Sequence, residues 1–123
     1  MKIEFDESKP IYLQIADAIK KAIARGDFSM GEKVPSVREL ALEIKVNPNT
    51  VQHAYQELIR EGVLFTKRGQ GNFVTEDPKK IRDLKMELVN RIVENFVKEM
   101  EELGYRIKKD TLTNLLEEEN DRG

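Results

Sequence analysis

The sequence predicts a mainly α chain with one small β-hairpin, and three observations predict it. Apolar residues recur every three or four positions in three segments within residues 10–62, the period of helices with one buried face. Two β-prone runs, 63–66 and 72–75, then flank Lys67-Arg68-Gly69-Gln70-Gly71, the pattern of a hairpin with a flexible, basic tip. A longer helical pattern follows Asp77-Pro78 and runs to Gly104. Three helices and a hairpin in this order describe a winged helix-turn-helix domain over residues 1–76. Residues 77–123 are read as a C-terminal two-helix dimerisation arm.

Each element has a local cause. Residues 1–9 are polar with a short alternation of Ile3 and Phe5, which fits a strand or a packed arm. Pro10 suits a first helical turn. Ile11, Tyr12, Ile15, Ile19, Ala22 and Ile23 then form the expected apolar face of the first helix, and Gly26 is placed to end it. A loop with turn formers Gly31 and Pro35 follows. Ser36-Val37-Arg38-Glu39 has the spacing of a capping box, in which a serine hydroxyl and a glutamate three residues on satisfy each other's backbone N–H groups. The second helix buries Val37, Leu40, Ala41 and Ile44 and stops near Lys45. Asn47 and Pro48 suit the cap and first position of the third helix, whose apolar set is Val51, Ala54, Tyr55, Leu58 and Ile59, with Gly62 at its end. Asp77-Pro78 starts the fourth helix in the same way, and Asp110 is expected to cap a last short helix carrying Leu112, Leu115 and Leu116.

Composition narrows the chemistry. The chain has 123 residues, no cysteine and one histidine. Disulfides and thiolate metal sites are therefore excluded, a zinc site lacks its usual ligands, and a cytoplasmic location is expected. No apolar run is long enough to span a membrane, and the N-terminus has no apolar signal segment. His53 would have to serve any nucleophile–histidine–acid set, yet it lies in an ordinary helical pattern. No phosphate-binding loop motif is present. No catalytic residue, metal or cofactor is expected. The net charge is −2, with a small positive excess in residues 1–75 and a negative one beyond. A nucleic-acid partner would thus need the positive charge focused on one face.

The third helix carries the informative residues. Asn49, Thr50, Gln52 and His53 are polar, short or medium in length, and not needed by the core. At the start of a recognition helix such side chains can read base edges: Asn and Gln pair bidentately with adenine, and Thr bonds a base or touches a thymine methyl. Ser36, Arg38, Lys45, Lys67 and Arg68 are available for phosphates or, in the wing, a minor groove. The expected partner is a double-stranded DNA operator.

The stretches VPSVRELA, VNPNTVQHAYQELIREGVL and RGQGNFV closely resemble the GntR family of bacterial winged-helix transcription regulators. The pattern VNPNTV..AY..L..EG with a short tail resembles the YtrA-type subfamily. The resemblance covers residues 8–76; the tail matches by length and helical pattern. It implies a homodimer, a palindromic operator and, by tendency, repression of transporter operons. It also implies DNA contacts from Arg38, from the start of the third helix including Asn47, and from the wing tip, where Gly69 permits close approach. Pro48 and Gln52 depart from other branches, which often carry arginine there. Guanine readout by arginine is therefore excluded at these two positions.

The arm's apolar set is too wide for an isolated exposed helix. Ile81, Leu84, Leu88, Ile92, Phe96, Met100, Leu112 and Leu115 are the residues expected to pair two subunits about a two-fold axis. A small-molecule effector is left open; residues 77–123 are too few to enclose a pocket of roughly 300 Å³, so an effector would sit at the dimer interface. A protein-interaction adaptor built on the same fold is the competing reading.

Overall fold

A computed structural model describes residues 1–117. Its elements are α1 (Ile11–Arg25), α2 (Val37–Ile44), α3 (Pro48–Arg60), β1 (Leu64–Lys67), β2 (Gly71–Val74), α4 (Pro78–Glu102) and α5 (Lys109–Thr113). The first compact unit is Met1–Ile81, and a second begins at Arg82, inside α4.

In the first unit, α3 is the central element. It packs against α1, α2 and β1. Ile15 and Ile19 of α1, Leu40 of α2, Val51, Tyr55 and Leu58 of α3, Leu64 of β1 and Val74 of β2 are almost wholly removed from solvent. Each such aliphatic side chain contributes roughly 1.5–3 kcal/mol. The one charged group taken into this core, Lys20, is paired at 2.6 Å with Glu61, which ties α1 to the end of α3. The Lys80 ammonium donates to the Glu61 carbonyl at 3.1 Å, so the same residue also anchors the first turn of α4.

The expected caps form. Ser36 Oγ accepts from the Glu39 N–H at 3.1 Å while Glu39 Oε1 accepts from the Ser36 N–H at 2.9 Å. Asn47 Oδ1 accepts from the Asn49 N–H at 2.7 Å, with Pro48 in the first helical position. Helices α1 to α4 end alike. In each, a residue with positive φ lets the next N–H reach back five positions: Asp27 to Ala22, Val46 to Ala41, Val63 to Leu58, and Tyr105 to Met100. Glycine supplies the left-handed residue at Gly26, Gly62 and Gly104, but in α2 it is Lys45, with φ 59°.

β1 and β2 pair antiparallel in the register Leu64↔Val74 to Lys67↔Gly71. The loop before α2 extends this ladder, which the sequence pattern did not indicate. Gly31 N–H donates to Val74 O, Val74 N–H to Glu32 O and Val34 N–H to Asn72 O, and Lys33 bridges to Phe73. The wing therefore has its inner strand held on both sides. Residues 1–9 form no strand; Gln14 holds this arm by accepting from the Asp6 N–H and donating to the Asp6 and Lys9 carbonyls.

In the second unit, Leu84, Leu88, Val93 and Val97 of α4 are buried, and the Lys109 ammonium lies 3.1 Å from Glu94. Several expectations change. In the first unit, Val37 and Ile44 of α2 are only half buried and Ile59 of α3 is exposed. Asp110 does not cap α5: Lys108 is the cap residue and Asp110 lies in the first turn. α5 is a single short turn, and Leu115 and Leu116 lie beyond it, exposed. Tyr12 follows the apolar period of α1 but is not in the core; it is half exposed. The sequence also reads EEENDRG, residues 117–123, as an acidic tail, of which residues 118–123 lie outside the described residues.

Candidate nucleic-acid interface

α3 divides along its length. Val51, Ala54, Tyr55 and Leu58 turn inward and are buried. Asn49, Gln52, His53 and Gln56 are exposed, and Thr50 is half buried. The Tyr55 phenol reaches across to donate to the Pro35 carbonyl at 2.6 Å, which pins α3 to the loop that launches α2. Burial, reinforced by the Glu39 and Glu43 carboxylates, pushes the Tyr55 phenol far above its ordinary range. The helix that carries the polar residues is thus fixed from behind.

Asn49, Thr50 and His53 share a shallow groove of about 410 Å³ with Pro10, Ile11 and Tyr12 at the start of α1. The Tyr12 and His53 rings stack face to face, with centroids 3.5 Å apart and planes 6° apart. Tyr12 is a participant the sequence reading missed, because its position fits the core period of α1. Ser36 is exposed, with its N–H donor and hydroxyl acceptor committed to the capping box. The Ser36 N–H and hydroxyl hold the Glu39 carboxyl below its ordinary value. Arg38 is exposed and has no ion-pair partner among the described residues. Lys45, exposed in the three-residue link between α2 and α3, carries a backbone conformation that most side chains avoid.

The wing tip is Arg68-Gly69-Gln70. The Gln70 N–H closes the turn on Lys67 O at 2.9 Å, and Gly69 takes φ 77° with open space around it. Arg68 is exposed. Lys67 is more constrained: its ammonium lies 4.5 Å from the Phe73 ring centroid and 5.8 Å from that of Phe65, and the two rings pack on each other. Lys33, also exposed, reaches over Gly71 and adds a cation beside the hairpin that the sequence reading did not include. Among the described residues there is no cluster of His, Cys, Asp or Glu that could hold a metal, and no helix long and apolar enough to cross a membrane.

A three-helix unit with a polar-faced third helix and a braced basic hairpin defines the winged helix-turn-helix class. The family model for bacterial regulatory proteins of the gntR family matches residues 11–74. The chain belongs to the GntR family. It is 49% identical over 104 residues to the uncharacterized HTH-type transcriptional regulator YhcF of Bacillus subtilis (strain 168), spanning 85% of this chain and 86% of that protein. It is 37% identical over 110 residues to the HTH-type transcriptional repressor YtrA of the same organism, spanning 89% and 85%. Among solved structures it is similar to a GntR family transcriptional regulator from Listeria monocytogenes, with a TM-score of 0.79 and 43% identity over 89% of this chain and 95% of that one. The AraR DNA-binding domain in complex with operator ORX1 matches 61% of this chain and 95% of its own, with a TM-score of 0.55 and 26% identity.

Proposed function

We propose that this chain is a sequence-specific DNA-binding transcriptional repressor that acts in the cytoplasm as a homodimer on a palindromic operator. The observation that carries this reading is the exposed polar face of Asn49, Gln52 and His53 on a helix whose other face is locked in the core. With Thr50 these side chains supply base selectivity. Arg38, Lys45, Lys67 and Arg68 supply phosphate contacts, Asn47 and Ser36 present their remaining polar atoms at the two helix starts, and Gly69 lets the wing approach the backbone. The family likeness to a named repressor supports the direction of regulation. Transporter operons are the first targets to test.

Dimerisation rests on the arm. Ile92 and Phe96 are spaced to share one face of α4 and are exposed, while Met100, Ile81 and Leu112 are half covered and Leu115 is open. Leu84 and Leu88 are already buried within the single chain. A second copy placed about a two-fold axis covers the exposed stripe, and a stable pairing of this kind buries roughly 1,200–2,000 Å². It sets the two recognition helices about one DNA turn, roughly 34 Å, apart. An effector, where one operates, acts at that interface by changing the helix spacing.

Selection of bound duplexes from a random library tests the reading. A palindromic consensus is expected, with binding that weakens roughly 10³–10⁵-fold between 50 and 200 mM salt if six to ten phosphates are neutralised. No enriched sequence, or a flat salt response, would remove the proposal.

A further inference from the structure

The Tyr12–His53 stack joins two elements that the DNA reading treats separately. His53 lies on the exposed face of α3, and neither ring nitrogen has a hydrogen-bond partner among the described residues. One face of its imidazole is covered by the Tyr12 phenol at 3.5 Å, with the planes almost parallel. Hydrogen bonds of imidazole lie in the ring plane. A face-to-face stack therefore leaves the donor and acceptor edge open while it restricts rotation of the ring. Tyr12 is itself held. It sits in the first turn of α1, one helical turn before Ile15, which is completely buried. Gln14 anchors the chain entering that turn through Asp6 and Lys9.

We propose that Tyr12 is a positioning residue for base readout: its phenol ring orients the His53 imidazole so that one ring nitrogen meets one base edge of the half-site. The inference rests on the DNA-binding reading above. Tyr12 acts through His53, and its own hydroxyl is dispensable. Asn49 and Thr50, which line the same groove, meet neighbouring base pairs independently of the stack.

The test uses the full chain as wild type, Tyr12→Leu, Tyr12→Phe, His53→Ala and the Tyr12→Leu/His53→Ala double variant. Each is titrated against the selected consensus duplex and a panel in which every half-site base pair is replaced in turn. Tyr12→Leu is expected to lower discrimination roughly two- to tenfold, the range of a lost aromatic stack, at the one base pair where His53→Ala lowers it. The double variant is expected to lose no more there than His53→Ala alone, as for two residues acting through one contact. Tyr12→Phe should match wild type. NMR of the free protein supplies a readout that needs no DNA: the carbon-bound ring protons of His53 should be shifted upfield in wild type and Tyr12→Phe and move downfield in Tyr12→Leu. A uniform loss across the panel, a loss at a base pair that His53→Ala leaves alone, additive losses, a Tyr12→Phe variant that behaves like Tyr12→Leu, or unshifted wild-type ring protons would each overturn the proposal while leaving DNA binding intact. A wild type that binds no duplex would remove both readings.

Discussion

The hydroxyl of Tyr55 donates to the carbonyl of Pro35 at 2.6 Å, from a ring with no exposed surface. This bond closes the helix-turn-helix from behind, because it links the middle of α3 to the residue that precedes the cap of α2. Tyr55→Phe leaves the Pro35 carbonyl without that donor and is expected to lower unfolding stability by about 1–2 kcal/mol in chemical denaturation. The folded-state phenol is raised above its ordinary value of 10.0. Above that pH the unfolded chain releases a proton that the folded chain retains, so stability falls as pH rises, with a slope of at most about 1.4 kcal/mol per pH unit from this group. The loss is absent below the unfolded value and should be missing in Tyr55→Phe.

Lys45 occupies the left-handed position that glycine fills at the ends of α1, α3 and α4. Strain held at such a position is expected to have a use, here a cation in the link before the recognition helix. Lys45→Gly should raise stability by about 0.5–1 kcal/mol through relief of that strain, net of glycine's greater unfolded-state freedom. The same variant should weaken binding to all duplexes alike and reduce the salt slope by about 1 per subunit. Opposite signs in thermal denaturation and operator titration distinguish this from a purely structural residue.

Gly69 has open space where a side chain would project, so only its φ of 77° resists substitution. Gly69→Val is expected to cost about 1–2 kcal/mol in the hairpin, seen as faster amide exchange in β1 and β2, and to weaken operator binding. Gly69→Asn, which tolerates the left-handed region, should retain the hairpin. Lys67, leaning on Phe73, and Arg68, at the open tip, should also differ: Arg68→Ala lowers affinity through charge alone, while Lys67→Ala additionally loosens the aromatic pair.

Ile92 and Phe96 are 63% and 45% exposed on α4. The pair of substitutions Ile92→Asp and Phe96→Asp should convert a dimer to a monomer in sedimentation analysis, because each would place a charge in the interface. Helical circular dichroism should be retained, since Leu84, Leu88, Val93 and Val97 are untouched. Operator affinity should fall on the order of 10²-fold or more as the second half-site contact ceases to be intramolecular. An unchanged sedimentation coefficient would place the interface elsewhere.

Much of the fold was legible because its signals act over a few residues. The capping box at Ser36 and Glu39, the Asn47-Pro48 start of α3 and the glycines closing α1, α3 and α4 each depend on neighbours within about one helical turn. The candidate readout residues were legible by subtraction: Asn49, Gln52 and His53 fall on the face of α3 that its apolar period leaves over. Other features could not be read this way. Tyr12 satisfies the apolar period of α1 as well as Ile15 does, and only the packing of α1 on α3 places His53 over the Tyr12 ring and the core around Ile15. Lys33 looks like an ordinary loop cation until its strand pairs with β2 and lays it over Gly71. Leu112 and Leu115 share a helical spacing, yet the single turn of α5 ends before the second. The sequence by itself determined where helices start and stop, which face of α3 is apolar and that the hairpin tip is basic, since these follow from local backbone chemistry and periodicity. The tertiary structure alone decided which ring covers His53, which strand Lys33 joins and which arm residues are already buried, because burial, pairing and stacking depend on a partner distant in sequence.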